Sequence, residues 1–228
     1  MHFSHSEEMW HDFPELAAGV LYVEGVTPDA GVRDQIATLT AAASSRLGSE
    51  SDLPEIQAWR RAFGRMGLKP TQYRCASEAL LRRLRKEGSL PAIHPLIDLC
   101  NAASLASAIP VAVIDVARVD GWLQVRHATG TESYLTFSGE LEHPEPREVI
   151  FRDGSGNAHA RRWTNRQSGL SAVRRDTRAV LIAAEALHET AAADVARLVE
   201  VLRQAVAGAW GGAPQTALLS RSAPRFDF

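Results

Sequence analysis

The sequence predicts one α+β domain in which helices come first, strands and hairpins follow, and a long helix closes the fold. Two observations support this. Apolar residues at helical spacing dominate the chain up to about residue 105, whereas short apolar runs separated by turn residues dominate residues 111–187. The 228 residues are enough for one domain with a substantial core, and no repeat or linker divides them.

The first half of the chain predicts one strand and four helices. Leu16–Val23 forms an apolar run that ends near Gly25 and predicts a short strand. Pro54 suits the first turn of a helix, while Ser77 and Gly88 suit the N-cap and the end of another. The four helices are predicted at residues 29–48, 53–66, 77–88 and 95–105.

The second half predicts a series of strands and a closing helix. Val111–Val116 is continuously apolar, which is typical of a strand buried on both faces. Asp120-Gly121 and Asp153–Gly156 are hairpin turns. Further strands are predicted at 122–126, 133–138, 148–152, 159–163 and 178–187, and an amphipathic helix at 189–210. The domain is therefore predicted to span 1–212, and the Gly, Ala, Pro and Ser that follow predict a flexible tail at 213–228.

Positive charge is concentrated in one segment. The nine basic residues between positions 60 and 86 face one acid, Glu78, whereas the rest of the chain carries 16 basic and 26 acidic residues. This set, called the basic belt below, comprises Arg60, Arg61, Arg65, Lys69, Arg74, Arg82, Arg83, Arg85 and Lys86. Such clustering favours a phosphate-binding surface. The alternative is a solvated helix face whose cations pair with the acidic remainder.

Several classes of protein are disfavoured by composition. No segment approaches the roughly 20 apolar residues of a membrane helix. The polar, acidic first eleven residues do not predict a signal peptide. Cys75 and Cys100 lack metal-ligand spacing, and the histidines are scattered. We therefore expect a cytoplasmic protein that contacts no membrane and needs no metal or cofactor.

Four segments in order carry a resemblance to a known family: Arg74–Arg83, Asp98–Asp115, Arg147–Asp153 and Arg161–Thr177. The chain resembles a stand-alone B3/B4 domain, the editing module of the β subunit of bacterial phenylalanyl-tRNA synthetase, from about Phe13 to about Leu187. The resemblance implies a three-layer β/β/α fold. In the synthetase this module hydrolyses tyrosine wrongly attached to the phenylalanine tRNA, so free-standing members are candidates for deacylating mischarged tRNA in trans.

The resemblance also assigns pocket positions. The synthetase's Asp-Val-Thr-Asn segment is here Asp98-Leu99-Cys100-Asn101, and its pocket histidine falls on Ala112 in Pro110–Asp115. Its glycine pair falls on Gln167-Ser168. Its pocket glutamate falls on Ala183, and Glu185 lies two residues later on the same face of the predicted strand.

Candidate site residues follow from these positions. Hydrogen-bond donors that could orient a water or an oxyanion are Asn101, Ser104, Gln167 and Ser168, the expected catalytic groups. The expected binding residues are Cys100, Pro110, Arg162, Trp163 and Arg166, with Arg74, Arg82 and Arg83 of the basic belt. Trp163 among arginines suits stacking on a terminal base, with an ordinary core tryptophan as the alternative. For each residue taken singly, a structural role is the simpler interpretation.

Three functional hypotheses follow. The first is a hydrolase that removes a wrong amino acid from the aminoacylated 3′ end of a tRNA. The second is a non-catalytic module that binds an amino acid, a nucleotide or an RNA end in the inherited pocket, which the missing His and Glu equivalents favour. The third and weakest is a structural protein with a vestigial pocket.

Overall fold

A computed structural model describes residues 1–46, 48 and 50–228. The helices of the described residues are α1 (Glu7–Asp12), α2 (Arg33–Ala43), α3 (Pro54–Arg65), α4 (Ala76–Glu87), α5 (Pro95–Ser107) and α6 (Ala191–Trp210). The strands are β1 (His2–His5), β2 (Ala17–Glu24), β3 (Val111–Asp115), β4 (Trp122–His127), β5 (Tyr134–Leu135), β6 (Leu141–Glu142), β7 (Val149–Asp153), β8 (Ala158–Arg161), β9 (Arg166–Gln167), β10 (Ala179–Ala186), β11 (Gln215–Leu219) and β12 (Arg225–Asp227).

The strands form two main sheets. One has the order β12-β1-β4-β7-β8-β9, the other β11-β2-β10-β3, and β5 pairs with β6 separately. Strand β10 shows how the layers stack, because its side chains alternate. Val180, Ile182 and Ala184 pack with α5 and α6, whereas Leu181 and Ala183 belong to the core that also includes the six-stranded sheet. The predicted α+β domain with β/β/α layers and a long C-terminal helix is therefore confirmed.

The helix ends follow local chemistry. Helix α4 stops at Gly88, whose φ of 75° is in the left-handed region that glycine adopts most readily. Pro54 and Pro95 begin α3 and α5, where the missing N–H has no intrahelical partner to lose. The N-cap of α4 is Cys75, and the predicted cap Ser77 lies buried inside the first turn.

Helix α6 packs unusually close to β2. A Cβ at Gly19 would lie 2.8 Å from Val195 Cγ1 and would also collide with Val199. Both valines are buried on α6, in the core that this helix shares with the four-stranded sheet. The glycine is therefore required by the close approach of helix and strand.

Several predicted elements differ in length. The helix expected at 29–48 is limited to Arg33–Ala43, and Leu47 within that range lies outside the described residues. The strand expected at 133–138 is only Tyr134–Leu135. The strand expected to be buried on both faces is β3, an edge strand whose first two residues are only partly buried.

The prediction of a flexible tail at 213–228 was wrong. Strand β11 pairs antiparallel with β2, and β12 pairs antiparallel with β1, aligning Phe226 with Phe3. Leu219 and Phe226 are buried in the core between the sheets. The apolar residues of this segment therefore gain free energy by burial, although the composition around them is typical of a loop.

Candidate functional site

A small cavity of about 70 Å³ lies where the edges of the two sheets meet. Ala112 on β3 and Ala183 on β10 are directly paired in the sheet register and both line it. Phe151 and Ala160, from β7 and β8, contribute the wall on the side of the six-stranded sheet. The positions that the resemblance assigned to the synthetase's His and Glu therefore share one cavity, but both carry methyl groups here.

The segment between β8 and β9 closes this cavity and is held by hydrogen bonds at several points. Thr164 O accepts from Ala76 N at 2.8 Å, and Asn165 Nδ2 donates to Arg74 O at 2.7 Å, both at the start of α4. Gln167 Nε2 donates to Val113 O at 2.7 Å and so connects β9 to β3. These contacts fix the segment relative to both sheets.

Two consecutive residues of this segment have left-handed backbone conformations. Arg162 has a φ of 47° and Trp163 a φ of 58°, which is unfavourable for residues with a Cβ. The turn directs the Trp163 ring into the core, where it meets Phe13 and Trp59 at centroid distances of 4.8 Å. Burial of that ring offsets the cost of the turn.

A buried carboxylate lies on the same face of β10 as Ala183. Glu185 lines the cavity, and its side chain is 3% exposed. Its Oε1 accepts from Trp163 Nε1 at 3.0 Å and lies 2.6 Å from His5 Nε2. His5 comes from β1 and packs against Trp10. Sequence reasoning missed His5, since 180 residues separate it from Glu185 and no local pattern marks it.

Arginines surround the outer side of this region and most are paired. Arg166 is exposed, lines the cavity and pairs with Glu142 at 2.9 Å. Arg161 is buried and pairs with Glu148 at 2.8 Å and Glu142 at 2.7 Å. Burial opposes ionisation of Glu148, but its hydrogen bonds from Arg161 outweigh that effect and lower its pKa. The Arg161 ion pairs are therefore part of the architecture.

The structure brings some of the predicted site residues together. Pro110, Trp163, Arg166 and Gln167 all line the cavity. Trp163 is only 1% exposed, so the prediction that it stacks on a ligand base was wrong, and the core alternative holds. Arg162 instead places its guanidinium 4.7 Å from the ring centre of Tyr73.

The other predicted catalytic groups do not reach this cavity. Ser104 is buried and its hydroxyl donates to Ile109 O at 2.6 Å. Ser168 is buried and donates to Leu135 O at 2.8 Å. Asn101 lines a different, larger groove. These three side chains therefore lie apart from the cavity, because the serine hydroxyls satisfy backbone carbonyls and Asn101 on α5 faces the groove.

Both cysteines are structural. Cys100 and Cys75 are buried, and burial raises the pKa of each thiol to about 12. Cys100 packs in the core between α5 and the four-stranded sheet. The prediction that it contacts a ligand was therefore wrong.

Six of the nine cations in the basic belt form ion pairs. Arg60 and Arg74 pair with Glu78 at 2.5 and 3.5 Å, and Arg82 and Arg85 with Glu50 at 3.8 and 2.8 Å. Arg65 pairs with Glu15, and Arg83 with Glu87 at 2.8 Å. Among the described residues, no carboxylate lies within 4 Å of Arg61, Lys69 or Lys86. The alternative of acid-paired cations therefore holds for most of the belt, including Arg74, Arg82 and Arg83.

The described residues hold neither a cluster of metal ligands nor a membrane-spanning helix. No three His, Cys, Asp or Glu side chains gather closely enough to hold a metal ion in that part of the chain. None of its helices combines the length and the apolar character needed to cross a bilayer.

Comparison with known proteins gives one family, and the similar chains include a curated subunit and a solved fragment. The family described as B3/4 domain matches residues 58–206. The phenylalanine–tRNA ligase β subunit of Chromobacterium violaceum is 26% identical over 134 residues, which is 54% of this chain and 17% of that subunit. An N-terminal fragment of the phenylalanyl-tRNA synthetase β subunit from Pyrococcus horikoshii is 10% identical, with a TM-score of 0.48 over 94% of this chain and 49% of that fragment.

Proposed function

The chain belongs to the B3/4 domain family, and from that premise we propose that it hydrolyses mischarged aminoacyl-tRNA in trans. One observation carries the proposal. Ala112, Ala183 and Gln167 are three of the positions that the resemblance assigns to the synthetase's editing pocket, and these three line one cavity. This chain therefore has a cavity at these positions, although the polar residues that line it differ from those of the synthetase.

The reaction requires orientation more than a protein nucleophile. A water oxygen attacks the ester carbonyl carbon, the bond from that carbon to the ribose oxygen breaks, and a proton passes to the ribose oxygen. The neighbouring terminal hydroxyl of the tRNA assists in positioning the water. This step uses neither a thiolate nor a redox group, which agrees with two buried thiols of raised pKa.

Two side-chain amides are suited to stabilise the developing oxyanion. Each amide nitrogen carries two hydrogens. Gln167 uses one toward Val113 O and Asn165 uses one toward Arg74 O. The second hydrogen of each remains for a ligand, and the bonds already made hold the amides in place. Such preorganised donors lower the barrier because they need no rearrangement during the reaction.

The RNA end would meet the cavity from its exposed side. Arg166 is the exposed cation among the residues that line the cavity. Arg61, Lys69 and Lys86 of the basic belt are the cations without a nearby carboxylate among the described residues. We assign these four to phosphate contacts, which position the RNA without reading its sequence.

The experiment is deacylation of a panel of mischarged tRNAs by the full chain, alongside its Asn165→Ala and Ser168→Ala variants. Turnover on one or more esters, reduced about tenfold by Asn165→Ala, is expected, since one well-placed donor contributes about 1–2 kcal/mol. Ser168→Ala is the matched control, because its hydroxyl serves a backbone carbonyl away from the cavity.

One observation favours a second candidate, a non-catalytic module that binds an aminoacylated RNA end. Both positions assigned to the synthetase's pocket His and Glu are alanines. Salt-sensitive tRNA binding without turnover on any ester of the panel would support this module and contradict the hydrolase. Loss of binding as well would contradict both.

A further inference from the structure

Glu185 is the only carboxylate among the described residues that line the cavity. One of its two oxygens makes no hydrogen bond to the described residues. Its Oε1 holds both hydrogen bonds, from Trp163 Nε1 and with His5 Nε2. Its Oε2 receives no hydrogen-bond donor from the part of the chain that the structure describes. This oxygen is not among the fully enclosed unpaired polar atoms, so it is reached from the cavity and is free to accept a hydrogen bond from a ligand.

No lysine or arginine of the described residues pairs with this carboxylate, and its ion-pair partner is His5, at Oε1. Arg166 also lines the cavity, but its guanidinium pairs with Glu142. The groups packed against Glu185 are the indole of Trp163 and the imidazole of His5. Both contact Oε1, so together they set the orientation of the carboxylate and leave Oε2 for a ligand.

A second polar atom of the cavity wall is also unpaired. Thr164 Oγ1 is buried and has no hydrogen-bond partner among the described residues. Thr164 lines the same cavity as Glu185. This hydroxyl has almost no accessible surface, so the acceptor that the cavity presents is Glu185 Oε2, which suits a ligand that carries a cation.

We propose that Glu185 Oε2 binds the α-ammonium group of an aminoacyl ligand and that the cavity admits only a small amino acid. This inference rests on the proposed function, because it names the substrate class of the same site. The α-ammonium is the one cation of an aminoacyl ester, and a charge-assisted hydrogen bond to a carboxylate is stronger than a neutral one. Trp163 and His5 act as positioning residues for Glu185.

The volume sets the size limit. A cavity of about 70 Å³ has room for a few water-sized groups. An ammonium, its Cα and a side chain of one or two heavy atoms fill such a space. A phenol ring exceeds this volume, so we expect tyrosine, which the synthetase's module removes, to bind more weakly than a small amino acid.

The test is calorimetric binding to the full chain of 3′-(L-alanyl)amino-3′-deoxyadenosine, in which a stable amide replaces the ester. The N-acetylated form of this probe lacks the ammonium and is the matched control ligand. We expect the N-acetylated probe to bind at least 20-fold more weakly. Equal binding of the two probes would overturn the proposal, and this comparison needs no variant protein.

The variant Glu185→Gln sharpens the assignment. A glutamine can keep Oε1 as the acceptor for Trp163 and His5 while presenting N–H groups to the ligand. We expect it to weaken binding of the ammonium probe at least tenfold and to remove the difference between the two probes. An unchanged ratio between the probes in a folded Glu185→Gln protein would assign the ammonium to another group and overturn the proposal.

The size limit is tested with the tyrosyl analogue of the same probe. We expect it to bind at least tenfold more weakly than the alanyl probe, and equal or tighter binding would overturn the limit.

Failure of this inference and failure of the proposed function give different results. Ammonium-dependent binding of the alanyl probe without ester hydrolysis would retain Glu185 as the anchor and refute the hydrolase. Hydrolysis that is equally fast on free and N-acetylated esters would retain the hydrolase and refute the anchor.

Discussion

Two concave regions of the described residues differ both in size and in the chemistry of their linings. A groove of about 1000 Å³ lies beside α2, α5 and the connection between α4 and α5, whereas the cavity between the sheets measures about 70 Å³. Of the charged residues of the groove, Asp29, Arg33 and Asp34 are exposed, so water can satisfy them, and the half-buried Asp98 accepts a hydrogen bond from Ile93 N. The cavity instead has a buried carboxylate.

The difference indicates that a polar atom without a hydrogen-bond partner from the protein identifies a candidate site better than the volume of a pocket does. The largest pocket is the usual first hypothesis for a binding site. Here the groove is bounded largely by connecting segments and helix ends. The cavity is built on β3 and β10, whose register fixes each side chain, and rigid strands position functional groups more accurately than loops do.

The largest expected effect comes from filling the cavity. Ala183→Leu places three extra carbons where Ala112 and Ala183 now leave space, so we expect deacylation to fall at least 100-fold. Overpacking should also cost about 1–3 kcal/mol of stability. Ala92→Leu makes the same change at an exposed position of the groove and should leave the rate unchanged. Initial rates with thermal denaturation of both variants measure this, and the reverse pattern would assign the site to the groove.

A smaller effect is expected from the side-chain amides of Gln167 and Asn101. The resemblance assigned both to one pocket, whereas Gln167 lines the cavity and Asn101 lines the groove. Gln167→Ala removes the bond to Val113 O and a donor at the cavity, so we expect a rate about tenfold lower, or about 1.4 kcal/mol. Asn101→Ala should change the rate less than twofold. Single-turnover kinetics at saturating protein compare the two, and equal losses would contradict the separation.

The affinity for tRNA should depend more on Arg166 than on Arg83 of the basic belt. We expect Arg166→Ala to weaken tRNA binding about fivefold and to reduce the slope of log affinity against log salt by about one. Arg83 lies outside the lining of the cavity and is not one of the four assigned phosphate contacts, so Arg83→Ala should weaken binding less than twofold. Filter binding over a range of salt concentrations measures both values. A larger loss for Arg83→Ala than for Arg166→Ala would place the phosphate contacts on the acid-paired cations of the belt.

The smallest expected effect is an absence of thiol reactivity. Burial raises the pKa of Cys100 and Cys75 to about 12, so both stay protonated at pH 8. The native protein should therefore release no thionitrobenzoate from Ellman's reagent at pH 8, and the unfolded protein should release two equivalents. Rapid labelling of the native protein at Cys100 would show that α5 exposes it toward the groove beside Asn101.

Elements with local signals were predictable from the sequence. The stripe of apolar residues in α6 and the glycine that ends α4 act within a few residues of themselves, so both helices were found with small errors in their ends. Strands β3, β4, β5, β7, β8 and β10 were predicted for the same reason, whereas the two-residue strands β6 and β9 were missed. The resemblance supplied Pro110 and Gln167 as candidate site residues, and both line the cavity.

The rest depended on partners distant in sequence. Strands β1, β11 and β12 have no strong pattern of their own and exist by pairing with one another or with β2 and β4. His5 gains its role only when β1 lies beside the core that contains Glu185. The charge of the basic belt was visible in the composition, but its neutralisation by Glu50 and Glu78 required the folded arrangement.

The pairing of β1 with β12 brings Met1 and Phe228 close together. Phe228 N donates to Met1 O at 3.0 Å, so the first and last residues of the chain are neighbours. A short peptide could join them, and new ends could be opened at the exposed turn around Gly139 without cutting a strand of either main sheet. Such a circular permutant would keep His5 covalently continuous with β12 on one side and with α1 on the other. The order in which the chain is connected can therefore be varied independently of the arrangement of the cavity.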